Sequence, residues 1–169
     1  CQTGENEAVA GEFYFNRYQG DWNRRLAALF SEDIKKASHD VKDLTRTLLE
    51  NTLPAEGFVF DTALAGYLLD ATAGRYDIAR LFASWFKEEL PKPLYLEPDA
   101  FSLFSGGADV EASFLSYVSA VDALYSAMRP KLAEMGTDWL YFQVELPLCR
   151  VLAEMETAGF LVDAGALRS

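Results

Sequence analysis

Apolar positions along this chain change their period several times, and each change marks an element. Gly11 to Tyr18, GEFYFNRY, is aromatic-rich with partial alternation and predicts a strand. Asp21 is placed to cap a helix that turns Trp22, Leu26, Leu29 and Phe30 inward. Ile34 to Ser38 predicts a short strand ending at His39-Asp40, and helical periodicity resumes from Val41 to Asn51. Thr52 to Gly57 is a turn around Pro54, Phe58 to Asp61 a compact buried strand, and TALAGYLLD a helix. Strands and helices alternating at this spacing predict an α/β fold with parallel pairing.

Past Asp70 the character changes. Tyr76 to Leu90 is helical, with Leu81, Phe82, Trp85 and Phe86 as its apolar face. Pro91, Pro93, Pro98 and Gly106-Gly107 punctuate an irregular connector. A long helix is expected from about Asp109 to Met135, burying Val110, Phe114, Leu115, Val118, Val121, Leu124, Tyr125 and Met128. Pro130 lies inside that pattern and is expected to bend or break it. Gly136 ends the helix, and Thr137 with Asp138 offers an N-cap for the next. There Leu140, Tyr141, Val144, Leu148, Val151, Leu152 and Met155 share one face, and Pro147, lacking an N–H, predicts a bend near Gln143. Gly159 closes this helix in the left-handed conformation, Phe160 to Val162 is a brief strand, and Asp163 caps a helix that Ser169 cuts off.

Half of the 169 residues are hydrophobic and 14% are aromatic, enough for one globular domain with its own core. No run approaches the roughly 18 apolar residues of a membrane span. The chain begins at Cys1 without a Met and ends within an apparent helix start, so it reads as a fragment, and any targeting segment would lie elsewhere. Cys1 and Cys149 lack Cys-x-x-Cys spacing, which argues against a disulfide framework and a zinc site. The net charge of −11, from 26 acidic against 15 basic residues, narrows function more. Phosphate-directed DNA binders carry a basic face, whereas Arg24-Arg25, Lys35-Lys36 and Lys42 make no long stripe. Composition argues against a stand-alone nucleic-acid binder.

One stretch is specific enough to suggest a family. Thr137 to Leu167, TDWLYFQVELPLCRVLAEMETAGFLVDAGAL, resembles the segment that opens the polymerase domain of the bacterial DNA polymerase I family. There a Glu-x-Pro-Leu run leads into a Met-Glu-x-x-Gly turn and a hydrophobic strand ending in Val-Asp. Glu145, Pro147, Leu148, Met155, Glu156, Gly159, Val162 and Asp163 match. An ordinary amphipathic helix would show the same periodicity but not the same ordered residues. Upstream, from about Ile34 to Leu132, KKASHDVKDL, FVFDTALAGYLLDATAGRYDI and RPKL resemble, less closely, the family's 3′–5′ exonuclease domain. The resemblance implies two parts: residues 1–136, an exonuclease-like domain lacking its first strand or strands, and residues 137–169, the beginning of the polymerase domain. It also implies an α/β, ribonuclease-H-like fold, a mixed sheet flanked by helices, with a C-terminal helical extension.

An active site of that kind hydrolyses the terminal phosphodiester with two divalent ions, roughly 3.5–4 Å apart, held by several carboxylates. The resemblance puts Asp40 at the metal-binding position of the second motif. Two roles stay open for it: a vestigial metal ligand, or the cap of the helix beginning at Val41. At the third motif, alignment on Arg129-Pro130 puts Ser113 and Tyr117 where the site needs a Tyr and an Asp. If Tyr117 is instead taken as the motif Tyr, the Asp is needed at position 121, which is Val. Asp122 is one step off, about 100° around the helix. Asp61-Thr62 imitates the first motif, Asp-x-Glu, but residue 63 is Ala, so Asp61 is expected to be a hydrogen-bonded structural acid or a cap. The true first motif would lie before Cys1. His39, the only histidine, has no nucleophile beside it and is expected to be structural or solvated. Phe13, Tyr14 and Phe15 offer rings for base stacking, but strand alternation favours the core.

These residues lead to the expectation of a catalytically inactive, exonuclease-like scaffold. It would pack against a polymerase domain in cis through the 137–155 helix, within a cytoplasmic bacterial enzyme that extends DNA primers in replication and repair. The resemblance assigns Mg to the parent polymerase and no cofactor to the fragment. DNA would be contacted through the full-length enzyme, with weak or no binding by this acidic piece, and no membrane is involved. The alternative is a working proofreading exonuclease whose first motif lies upstream, with Asp122 or Glu111 reaching the metals. A third reading is a protein-interaction module whose sticky surface is the apolar face of Thr137 to Met155. Exposed in isolation, that face would drive non-native self-association.

Overall fold

The computed structural model describes residues 2–4, 7–8, 21–91 and 107–159, with side chains placed over 21–91 and 112–159. The elements run β1 (Gln2–Gly4), β2 (Glu7–Ala8), α1 (Trp22–Leu29), β3 (Lys36–Ser38), α2 (Val41–Glu50), β4 (Phe58–Asp61), α3 (Thr62–Leu69), α4 (Ile78–Phe86) and α5 (Gly107–Glu134). Then follow α6 (Asp138–Leu140), a π-turn (Tyr141–Glu145) and α7 (Leu146–Ala158). The chain is helix-rich α/β. Among the described residues the strands form two separate pairs, β1–β2 antiparallel and β3–β4 parallel, and not one mixed sheet. The strand expected at 11–18, the aromatics Phe13 to Phe15 and the elements expected after Gly159 lie outside the described residues.

The parallel pair is built by local chemistry. The β-prone run Phe58 to Asp61 lies against β3 with Lys36 opposite Phe58, Ala37 opposite Phe60 and Ser38 opposite Asp61. Gly57, at φ 73°, admits the chain to β4 at a point where a Cβ would strike the carbonyl oxygens of Ile34 and Ser31 and the Lys36 ammonium. That ammonium donates to the carbonyls of Leu29 (2.9 Å) and Ser31 (3.0 Å), gathering the acceptors left unpaired just past α1. Asp21 caps α1 as expected, accepting from the Arg24 amide at 3.0 Å. The inward face expected of α1 is only partly covered: Trp22, Leu26 and Phe30 are half-buried, and Leu29 is exposed.

Phe60, Ala65, Leu81, Leu124, Met128, Leu132 and Tyr141 make the core, with Phe82, Trp85 and Phe86 of α4 packed onto it. The long helix α5 keeps most of the expected stripe, with Leu124 and Met128 buried and Leu115, Val118, Val121 and Tyr125 half-buried, and adds small positions to it. Ser113, Ala120, Leu124, Met128 and Leu132 are buried, whereas Phe114 is exposed. Ser113 and Ala120 are small, and a tally of large apolar residues misses such buried positions. Pro130 does not break α5, which runs on to Glu134. Ser126, whose carbonyl loses the Pro130 donor, is exposed, so water can satisfy it. Gly136 at φ 69° ends the helix: its N–H reaches the Ala133 carbonyl (3.0 Å) and that of Thr137 the Leu132 carbonyl (2.9 Å), the bonding pattern of a Schellman turn. Thr137 does not cap α6, because its hydroxyl turns back to the Leu132 carbonyl at 3.2 Å.

The irregularity expected at Gln143 takes the form of the π-turn, in which the Leu146 amide reaches back to the Tyr141 carbonyl. Pro147 cannot donate to the carbonyl of Gln143, and widening the helix by one residue re-routes the bonds around the missing donor. The same widening places Tyr141 inward. It is fully buried against Phe60 (ring centroids 5.1 Å apart), and its hydroxyl accepts from the Asp61 N–H (2.6 Å) while donating to the Asp61 carbonyl (2.9 Å). In Tyr141→Phe both backbone groups of Asp61 would be left buried and unpaired, at a cost of about 1–3 kcal/mol. Urea unfolding of this variant should show a lowered midpoint at unchanged slope. A midpoint equal to that of the parent chain would refute the assignment.

Candidate functional site

The C-terminal ends of β3 and β4 bring together the chemistry-bearing residues Ser38, His39, Asp40, Asp61 and Thr62. Asp61 is 3% exposed, and its carboxylate collects four backbone amides. Oδ1 accepts from Asp40 (3.0 Å), Ala63 (2.9 Å) and Leu64 (3.3 Å), and Oδ2 from Val41 (2.8 Å). Two of these donors open α2 and two open α3, so one side chain caps both helices. Burial pushes the Asp61 carboxyl above its ordinary range, and the amides of Val41, Leu64, Ala63 and Asp40 pull it back. The expectation of a structural, capping Asp61 matches this geometry.

Asp40 stands in the N-cap position of α2 but does not cap it. Its side chain makes no cap hydrogen bond, and its backbone is left-handed (φ 56°, ψ 62°), a conformation that aspartate tolerates better than most residues. The cap is supplied from twenty-one positions away, by Asp61. The Asp40 carboxylate is exposed on a cleft of about 230 Å³ that it shares with Asp61, Glu145 and Cys149. Glu145, the acid of the Glu-x-Pro-Leu motif, was not expected beside Asp40. A residue at the end of a π-turn, on another element, carries no local signal of that approach.

The other candidates lie apart from this cleft. Ser113 is buried in α5, and the Tyr117 hydroxyl donates to the Pro91 carbonyl at 3.2 Å. Neither supplies a carboxylate. Asp122 is half-buried on α5 and lines none of the cleft, and the side chain of Glu111 lies outside the described residues. Among the described residues no three His, Cys, Asp or Glu side chains converge as a metal site. Among the described residues the arrangement around Asp40 does not fit a two-metal centre, because Asp61 spends both oxygens on amides. Cys149 is buried, its thiol pushed up to about 11 by burial and by Asp61 and Asp40, so it is a protonated packing group and no nucleophile.

His39 Nδ1 shares a hydrogen bond with Thr62 Oγ1 at 2.8 Å, between the two strand ends. Burial lowers its pKa, outweighing the opposite pull of Asp61, Asp40 and Asp77. The folded chain therefore binds this proton less readily than the unfolded chain, and the stability contributed by His39 is present above pH 6.5 and lost as pH falls below it. Asp61 works with the opposite sign, its stability being lost as pH rises above the ordinary carboxylate range. Subtracting the melting profile of His39→Gln from that of the parent isolates the first effect. The parent should lose melting temperature relative to the variant as pH falls from about 7.5 to 5. Parallel profiles would show His39 to be unperturbed.

No family model matches the chain. Individual proteins do. It is 31% identical over 146 residues to DNA polymerase I of Mycobacterium bovis, a match covering 85% of this chain and 16% of that protein. It is 30% identical over 157 residues to DNA polymerase I of Chloroflexus aurantiacus, covering 85% of this chain and 16% of that protein. It is 31% identical over 150 residues to DNA polymerase I of Bacillus caldotenax, covering 84% and 16%. The chain belongs to the bacterial DNA polymerase I family, of whose members it matches one segment. It spans 16% of the length of these curated relatives. Among the described residues no helix is long and apolar enough to cross a membrane.

Proposed function

We propose that this chain is the exonuclease-like part of a DNA polymerase I, of ribonuclease-H-like descent, whose chemistry is lost and whose remaining role is to support a polymerase domain in cis. The boundary in this reading falls at residues 136–137. The observation that supports it is that Asp61 is consumed by four amides; beside it, the resemblance puts Ser113 and Tyr117 at the third-motif positions, where neither offers a carboxylate. Primer extension, its Mg and the main DNA contacts would belong to the rest of the enzyme, which acts in the cytoplasm.

The helical extension supports the scaffold role. α7 lies on α2 through Cys149 and Ala153, and ion pairs tie it down along its length. Glu156 meets Lys42 at 2.8 Å and Arg46 at 3.8 Å, and Arg150 meets Glu56. Its other face presents Leu148, Val151 and Met155, continuing from Val144 in the π-turn at spacings of four, three and four, all exposed. That is the stripe a packed helix would cover. In this reading the cover is the polymerase domain.

A 3′-end digestion assay on the full-length enzyme tests the loss of chemistry, using a mismatched primer terminus with Mg or Mn, no nucleotides, and Asp40→Ala alongside. The expected outcome is an intact primer in both, with extension once nucleotides are added. Shortening that disappears in Asp40→Ala would establish the proofreading alternative. For the exposed stripe, sedimentation of the 169-residue chain should show association that grows with concentration and is suppressed in Val151→Lys. A clean monomer at high concentration would mean the stripe is not sticky.

A further inference from the structure

A cleft that shares no residue with the one around Asp40 and Asp61 has a lining of different chemistry. It is open, about 550 Å³ in volume, and lies where the start of β4 meets the late turns of α5 and the π-turn. Its walls carry two cations, Lys35 and Arg129, three aromatic rings, Phe58, Tyr125 and Phe142, and two aliphatic side chains. It has no carboxylate. Four other clefts each include at least one: Asp40, Asp61 and Glu145 in the first, then Glu156, Glu56 and Asp70. In a chain carrying a net charge of −11, an acid-free cleft with two basic residues is a local reversal of sign.

Both cations are exposed, and among the described residues neither takes part in a salt bridge. The Arg129 guanidinium instead stacks over the Phe142 ring, 4.8 Å from its centroid. A guanidinium placed over a ring in this way keeps N–H groups for an anion. The volume lies within the roughly 300–1,000 Å³ of ligand sites.

We propose that this cleft takes a short stretch of single-stranded nucleic acid, of about one or two nucleotides, with Lys35 and Arg129 on phosphate and the Arg129–Phe142 stack against a base. Charge complementarity selects an anion, and the aromatic lining selects one that carries rings. The DNA-enzyme reading above enters only in preferring nucleic acid to another planar anion. The contact is small, so it supplies a weak local hold and not the main grip on DNA.

Fluorescence anisotropy of a labelled thymidine oligonucleotide with this chain at low salt is the test. The expected result is saturable binding that weakens at least about fivefold in the Arg129→Gln, Lys35→Gln double variant. A control of equal charge change, Arg75→Gln with Lys87→Gln, should weaken it less than about twofold. Circular dichroism verifies that both variants fold. Equal losses in the two pairs, or no binding by the parent chain, overturn the proposal. So does competition by inorganic tripolyphosphate as strong as that by unlabelled oligonucleotide, which would leave a simple anion site. Primer digestion is a separate readout: failure of the cleft leaves the inactivity reading standing, and digestion of the primer leaves the cleft standing.

Discussion

Four backbone amides from two helices converge on the carboxylate of Asp61, while the hydroxyl of Tyr141 closes on the N–H and the carbonyl of the same residue. Burying a carboxylate is costly, and the cost is offset only when its oxygens are saturated. The starts of α2 and α3 supply that saturation, each bringing unpaired N–H groups and the positive end of its dipole. Because the side chain can satisfy both helices only from one place, it fixes where α2 and α3 begin relative to β4. Because Tyr141 reads the backbone of the same residue, it also fixes the π-turn against the strand. One residue thereby joins elements far apart in sequence.

That economy bears on chemistry. An acid that holds metal must turn its oxygens towards the ion, and an acid that caps two helices has turned them towards amides. Asp61 cannot do both in this arrangement. Asp40 is the reverse case: its side chain is free of the capping duty its position suggests, yet its backbone sits in a left-handed conformation, with its N–H donating to the Asp61 carboxylate. The two residues divide between them what a single capping aspartate ordinarily does, one supplying the carboxylate and the other the turn.

Local signals were readable in the sequence and distant ones were not. The bounds of β4 and α3 follow from a β-prone run between Gly57 and Asp61 and a helix that opens at once, and the structure keeps them. The disturbance at Gln143 follows from one missing N–H at Pro147. By contrast, the cap of α2 comes from across the strand pair, so nothing near Val41 announces it, and the sequence offers Asp40 as the natural acceptor of the bond. The face of α5 is legible in part: Leu124 and Met128 are buried as their spacing predicts, whereas Ser113 and Ala120, also buried, are too small to stand out in an apolar pattern. Around the candidate site, a structural role for Asp61 was legible, but its reach to two helices and the approach of Glu145 were not.

The same division explains how α7 is held. Its ion pairs with Lys42, Arg46 and Glu56 are partly exposed, and such pairs contribute little, about 0–1 kcal/mol each. They set register more than strength. Strength comes from Tyr141, Cys149 and Ala153, which give up most or all of their exposure to β4 and α2. The small side chains of Cys149 and Ala153 let the backbone of α7 sit close to α2, and this turns Val144, Leu148, Val151 and Met155 away from the chain's own core. An apolar stripe directed outward by a firmly seated helix is a surface presented in a fixed orientation. A scaffold needs that property, and it does not depend on any surviving catalytic carboxylate.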